Sequence, residues 1–450
     1  MMKSHAYQKC VNPSCGLEYS INEARIHCGR GHLLDVKYRG RLPKYLRDVF
    51  YGRRNHGGNI YNESGVWRFR ELINFPQINT ESQTQCSKVL VSLDGSEGRL
   101  SRPYRMTKVA EFVGLKADNL YLQPEGYNPS GSFKDNGMST ALTHAKMLGV
   151  KRIICASTGN TSASAAMYAS NEGMKCDVFI PKGEVAPGKL GQAFQFGAQV
   201  IEISGNFDDA LAASIKESRT SGAYTVNSIN PFRIEGQKTI LYRVLEHLKW
   251  EAPDWVVYPG GALGNTSSAG KCLIELHEWG WIKRIPKIAV INSEGANTLY
   301  TLYNGKYGSV KLRWNKGNVD TKIIDDYYQH MEKNGIRPKT EATAIQIGKP
   351  ANIYKALRAL EFTNGIVEQV SDKEMYDGMS IVGLNGFDCE LASGSVSAGI
   401  KKLREAEVIA KDDAVVGILT GRQKDPNVPV KYHLDSSNRF AHPPRAYNQS

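Results

Sequence analysis

The 450-residue chain has no run of eighteen apolar residues, so no segment reads as a membrane-spanning helix and no membrane partner is expected. Its opening stretch, "MMKSHAYQKC", lacks the apolar segment of a secretory signal, and a soluble, cytoplasmic protein is the expectation. Eight cysteines scattered over such a length do not make a disulfide framework. Positive charge is in excess, at a net +12, but no block of five basic residues occurs, and "KKLREAEVIAKDD" mixes signs as solvated surface does. With no nucleic-acid-reading motif beside that charge, nucleic acid is not expected as a partner, and an anionic small molecule suits the potential better. Two nucleotide signatures are missing as well. No lysine follows the glycines of "PGGALGNTSS", and their spacing is not that of the dinucleotide fingerprint.

What is present is an ordinary globular composition, 41% hydrophobic, in a chain long enough for two domains or more. From Asn119 onward, short apolar or β-branched runs alternate with helical patterns: "NLYLQP", "RIICAS", "CDVFIP", "QVIEIS" and "AYTVN", then "DWVVYP", "KIAVIN" and "AVVGILT". Alternation of this kind predicts an α/β fold with parallel sheets covered by helices. So many units predict two sheets. Ligands of open parallel sheets sit at the carboxyl ends of strands. Four polar, glycine-containing loops fall there: "EGYNPSGSFKDNG", "STGNTSAS", "PGGALGNTSS" and "TGRQKD".

Each loop offers one piece of chemistry beside a plain structural role. Lys134, between a serine-glycine turn and a helix start, is either a solvated first-turn lysine or an amine of lowered pKa that forms imines. Gly260, Gly261 and Gly264 let backbone amides and a helix N-terminus cradle a phosphate, or make a tight turn only. The small polar residues from Ser157 to Ser164 suit a carboxylate, or cap a helix. Arg233 in "NPFRIEGQKT" could clamp an anion with two parallel hydrogen bonds. A lysine, a phosphate cradle, a carboxylate site and Thr420 at the end of the last strand together match what pyridoxal phosphate and an amino acid require.

The stretches "NPSGSFKDNGM", "ASTGNTSASAAMYAS", "IPKGEVAPGKLGQAFQFGA", "NSINPFRIEGQKT", "TEATAIQIGKPANIYKAL" and "ILTGRQKDP" resemble, in order, the threonine synthase family of the fold type II (tryptophan synthase β-like) pyridoxal-phosphate enzymes. The resemblance runs from about Gly65 to Pro426. It implies two open, mostly parallel α/β domains: a large cofactor-binding one over 41–145 and 240–430, a smaller mobile one over 146–239, and a surface tail over 431–450. It also implies that Lys134 carries the cofactor as a Schiff base and that Asn160 bonds the ring hydroxyl. Gly261, Ala262, Leu263, Gly264 and Asn265 would hold the cofactor phosphate, and Thr420 would face the ring nitrogen. Ser157, Thr158, Thr161 and Ser162 lie where the family binds the substrate carboxylate, while Arg233 and Lys238 are candidates for the substrate phosphate or for domain closure. The implied substrate is an anionic phosphorylated amino acid, O-phosphohomoserine, turned into threonine and phosphate, and the implied assembly is a homodimer.

A neutral hydroxyl at Thr420 cannot act as the carboxylate that keeps the ring nitrogen protonated in other pyridoxal folds, so Lys134 is expected to do most of the proton transfer. Four departures bear on the substrate. Arg99, Leu100 and Ser101 replace a glycine-threonine-proline-leucine signature. Ala262 stands where asparagine is common, Asn136 stands where arginine follows the lysine-aspartate pair, and "TGRQKD" is one residue short. A phosphoserine-using β-replacement enzyme or a serine/threonine dehydratase remains the alternative. At the start, Cys10, Cys15, Cys28 and His32 form two ligand pairs across a spacer, as in the zinc ribbon that many family members carry, with His27 a competing ligand and a metal-free ribbon the other reading.

Overall fold

The computed structural model describes residues 6–55, 59–75, 102–183, 187–425, 427–435 and 437–441. The chain opens with a small antiparallel sheet of β1 (Ala6–Cys10), β2 (Glu18–Ser20) and β3 (Leu34–Tyr38), β1 central. It then lays down β4 (Tyr104–Arg105) and β5 (Leu120–Pro124) and leaves for a second sheet of β6 (Arg152–Ala156), β7 (Lys175–Pro181), β8 (Gln199–Ile203) and β9 (Tyr224–Thr225). It returns with β10 (Trp255–Pro259), β11 (Lys287–Ser293), β12 (Ile366–Val370) and β13 (Val415–Leu419). The returning strands complete a six-stranded sheet, β12-β11-β10-β13-β5-β4, parallel except at the β4 edge. The four-stranded sheet, β8-β7-β6-β9, is parallel throughout.

The apolar runs explain the layers. In a strand successive side chains alternate faces, and in β10 Val256 and Tyr258 join one core with Leu273 and Leu357, while Trp255 and Val257 join another with Met375 and Val396. Both faces are therefore covered, as a continuous apolar strand requires. The smaller sheet divides in the same way. Ile153, Cys155 and Val178 pack with Met138 and Ala165, and Ile154 and Phe179 pack with Ala210.

The helix Lys134–Met147 follows β5 of the large sheet yet packs on the small one. Its first turn lies against the helix Pro231–Gln237, where a side chain at Gly236 would place its Cβ 1.8 Å from Asn136 O. Only glycine allows that approach. Lys134 is thereby set between the two sheets.

All eight strands expected from the apolar runs are present, as β5 to β11 and β13. The strands β4 and β12 were not expected; the first has two residues and the second is a half-buried edge strand, so neither shows a clear apolar run. The segment 304–337 reads as a polar, mobile excursion in sequence, but Leu312, Trp314, Ile323, Ile324, Tyr327 and Met331 are buried in the core. The last four form one stripe of the helix Thr321–Lys333, which its charged neighbours disguise. The expected tail begins inside the helix Asn427–Leu434, whose Tyr432 stacks on Tyr376 at 5.1 Å. Residues 442–450, and the signature at Arg99, Leu100 and Ser101, lie outside the described residues. No helix among the described residues is long and apolar enough to cross a membrane.

Candidate active site

After β5 the chain turns at Asn128–Gly131, with Gly131 N donating to Asn128 O at 2.7 Å and Gly131 at φ +85°. The turn is zipped to the end of β13: Phe133 N donates to Thr420 O at 2.9 Å and Arg422 N to Gly131 O at 3.0 Å. A Cβ at Gly131 would press on the Arg422 side chain, with Nε at 2.6 Å, but it is the left-handed backbone that calls for glycine here. Lys134 is the first residue of its helix, its Nζ 3.6 Å from the Phe133 ring centroid. Burial and the Arg233 guanidinium, joined by Lys424 and opposed by Glu390, push its pKa down to about 7. Asp135 is fully buried and accepts from Ser130 N (2.7 Å), Ser130 Oγ (2.5 Å) and Ser164 Oγ (2.5 Å), which fastens the lysine turn to the helix Asn160–Asn171.

The departure at Asn136 has a local explanation. Asn136 Nδ2 donates to Glu125 Oε2 at 2.7 Å, and Arg243, arriving from the helix Thr239–His247, reaches Glu125 Oε1 at 2.6 Å and Asn136 Oδ1 at 3.2 Å. The guanidinium that the family resemblance expects at position 136 is thus present near that point, supplied from position 243.

Asn160 begins the helix after β6 and Thr420 follows β13, and a carboxylate absent from the sequence reading joins them. Glu390, ahead of the helix Leu391–Glu405, accepts from Asn160 Nδ2 at 2.8 Å and from Thr420 Oγ1 at 2.9 Å. In the chain Glu390 stands immediately before its helix, and nothing local marks its distant partners. Ser157, Thr158 and Thr161 are half-buried around the start of the Asn160 helix. Ser157 Oγ accepts from Gly159 N at 3.1 Å, while buried Ser162 donates to Gly159 O at 2.7 Å.

The glycine loop after β10 is tight, for a different reason than expected. Gly260 and Gly261 allow close approach: a Cβ would meet Asn292 Nδ2 at 2.5 Å at the first and crowd Ile345 Cα at 3.0 Å at the second. The left-handed backbone falls on Leu263, at φ +63°. Strain of this kind in a side-chain-bearing residue is typical of ligand clamps. Ala262 O accepts from Asn352 N at 3.2 Å. At the start of the helix Gly264–Glu278, both polar atoms of the Asn265 side chain and Thr266 Oγ1 are buried with no hydrogen-bond partner. Orphaned polar atoms at a helix N-terminus suit an anion, and this set fits the phosphate of pyridoxal phosphate.

Arg233 is buried, with one Nη donating to Val226 O at 3.1 Å, while Nε and the other Nη have no partner. Those two donors form the edge that grips an oxyanion in parallel. Lys424, at the end of the closing motif, also has a buried Nζ with no hydrogen-bond partner. Lys238 is differently occupied. It bonds Glu235 at 2.7 Å and Glu275 at 2.9 Å, and Lys271 bonds Glu235 at 2.7 Å and Glu275 as well, in a solvent-free cluster.

In the N-terminal ribbon, the ligand atoms of Cys10, Cys15, Cys28 and His32 lie within 4.8 Å of one another. Cys15 and Cys28 Sγ are 3.9 Å apart, and His32 Nδ1 is 3.5 Å from Cys10 Sγ and 3.7 Å from Cys28 Sγ. Sulfurs on tetrahedral zinc stand about 3.8 Å apart, so these residues fit that ion. His27 pairs with Leu33 in a β-bridge and is outside the cluster.

Two parallel sheets with a lysine of lowered pKa, a phosphate-fitting loop and a strand-end threonine between them define a pyridoxal-phosphate enzyme. The family model described as "Pyridoxal-phosphate dependent enzyme" matches residues 100–421. Threonine synthase of Methanocaldococcus jannaschii is 38% identical over 94% of each chain, and that of Methanosarcina acetivorans 35% identical over 94% of this chain and 93% of its own. Maize serine racemase shares the fold, with a TM-score of 0.56 at 18% identity over 74% of this chain and 90% of its own. The chain belongs to the pyridoxal-phosphate-dependent enzymes and, within them, to the threonine synthases.

Proposed function

We propose that the chain converts O-phospho-L-homoserine and water into L-threonine and phosphate. The observation that carries this is the 38% identity to a threonine synthase across 94% of both chains. Bound pyridoxal phosphate would supply the electron sink that loosens the α and β protons of an amino acid. Lys134 would hold the cofactor covalently, and its amine would move those protons. An amine with a pKa of about 7 can both accept and return a proton at neutral pH. Gly261, Ala262, Leu263, Gly264 and Asn265 are assigned the cofactor phosphate, with Thr266 added because its hydroxyl is orphaned beside them. Asn160 takes the ring oxygen and Thr420 the ring nitrogen.

Ser157, Thr158, Thr161 and Ser162 are assigned the substrate carboxylate. The free edge of Arg233 supports its assignment to the substrate phosphate, with its positive charge aiding departure of that group from the γ carbon. Lys238, bound into its ion cluster, positions the helix that carries Arg233. Zinc is assigned to Cys10, Cys15, Cys28 and His32, and the working form is taken as a cytoplasmic homodimer whose smaller sheet moves on substrate binding. The test is a paired assay. O-phosphohomoserine should yield equal amounts of phosphate and threonine, and turnover of phosphoserine with none from O-phosphohomoserine would overturn the substrate assignment.

A further inference from the structure

Arg233 is held by little of its own. Its buried guanidinium makes one hydrogen bond among the described residues, to Val226 O. The helix Pro231–Gln237 that carries it has seven residues, too few to hold a direction without tertiary packing. We propose that the N-terminal ribbon braces this helix: Val11, Leu33 and Tyr38 are positioning residues that keep the free edge of Arg233 aimed at the substrate phosphate. The inference rests on the reading of Arg233 as the clamp of that phosphate.

The ribbon meets the segment around Arg233 at three places. Val11 and Leu33 are buried with Ile229, four residues before Arg233. Ile21 O, just after β2, lies 2.7 Å from His144 Nε2, and the His144 ring stacks on Phe232, the residue before Arg233, with centroids 3.4 Å apart. Tyr38, on β3, donates to Glu235, two residues after Arg233. Ala6, Ile21 and Val36 of the ribbon also share a core with Phe232 and with Val226, whose carbonyl receives the guanidinium. The arginine is thus fixed through its neighbours on both sides in the chain, while its own Nε and second Nη stay free.

The brace is built on the cysteine-histidine cluster. Val11 and Leu33 directly follow Cys10 and His32 in the chain, and Val11 N donates to Leu33 O at 3.0 Å, so the residues that fit zinc also set the apolar pair that bears on Ile229. A bidentate clamp is sensitive to direction, because both of its donors must reach one oxyanion at once. Truncating the pair frees the 229–235 backbone and with it the aim of the guanidinium. Leu33 is the contact to alter. Tyr38 reaches the ion cluster shared with the helix behind the cofactor phosphate loop, whereas Leu33 bears on Ile229.

The test uses holoenzyme, in which pyridoxal phosphate fills its own phosphate site, and reads the dissociation constant of inorganic phosphate by phosphorus-31 NMR. Leu33→Ala should raise that constant about tenfold and leave the affinity for pyridoxal phosphate unchanged. Adding Leu33→Ala to Arg233→Met should raise it no further than Arg233→Met alone, because the brace acts through that guanidinium. If Leu33→Ala is not recovered folded, Ile229→Ala takes its place with the same expectations. A constant equal to the wild type's in the brace variant, while Arg233→Met raises it, overturns the proposal and leaves the reading of Arg233 standing. So does an effect that persists in full on top of Arg233→Met, or a cofactor affinity that falls by the same factor as the phosphate affinity. A constant unmoved by Arg233→Met overturns the reading of Arg233 and the proposal with it.

Discussion

Burial disfavours a positive charge on Lys134, and the Arg233 guanidinium adds to that effect. A lysine whose folded pKa lies near 7 is mostly protonated below that pH and mostly neutral above it. Only the neutral amine attacks an aldehyde. The rate at which apoenzyme takes up pyridoxal phosphate should therefore climb about tenfold per pH unit below 7 and level off above it; stopped-flow absorbance measures this. Lys134→Ala should abolish borohydride-trapped cofactor and threonine formation together. At Asn136 the test is steric and electrostatic. Asn136→Arg would put a second guanidinium beside Arg243 in a buried space with one carboxylate, Glu125. We expect a loss of about 3 kcal/mol in urea unfolding, partly relieved by adding Arg243→Met.

At the scale of elements, the site depends on how helices are anchored at their ends. The helix bearing Arg233 and the helix behind the phosphate loop share the cluster of Glu235, Lys238, Lys271 and Glu275, each buried. Glu275→Gln would leave two ammoniums to one carboxylate. The expected cost is about 3–5 kcal/mol, the scale for breaking a buried pair, read as a lowered urea midpoint with weakened cofactor affinity. The N-terminal ribbon meets the same region. Tyr38 on β3 donates to Glu235, and Asp35 pairs with Lys355 at 3.2 Å and Arg358 at 2.7 Å. Metal analysis should find about one zinc per chain in the wild type and none in Cys28→Ala, and that variant should melt several degrees lower because the ribbon is clamped onto these helices.

Over the whole molecule, the two parallel sheets were legible because parallel strands buried on both faces appear as uninterrupted β-branched runs, as in "WVVYP" and "RIICA". The four polar strand-end loops, which carry Lys134, Ser157, Gly260 and Thr420, were legible because they fall directly after those runs. Segment 304–337 was misread because half a helix stripe among charges resembles loop, and Glu390 was missed because its partners are 230 and 30 residues away.

The sequence by itself determined the alternation of strands and helices, the four strand-end loops and the residue types that pyridoxal chemistry needs, since each is written within a dozen neighbouring residues. Tertiary structure alone decided which way each group is engaged. It lowered the pKa of Lys134, left Arg233 and Asn265 with free donors, closed Lys238 into an ion cluster and brought Glu390 to Thr420. Burial, charge proximity and hydrogen-bond sense depend on distances between segments far apart in the chain, and local sequence does not encode them.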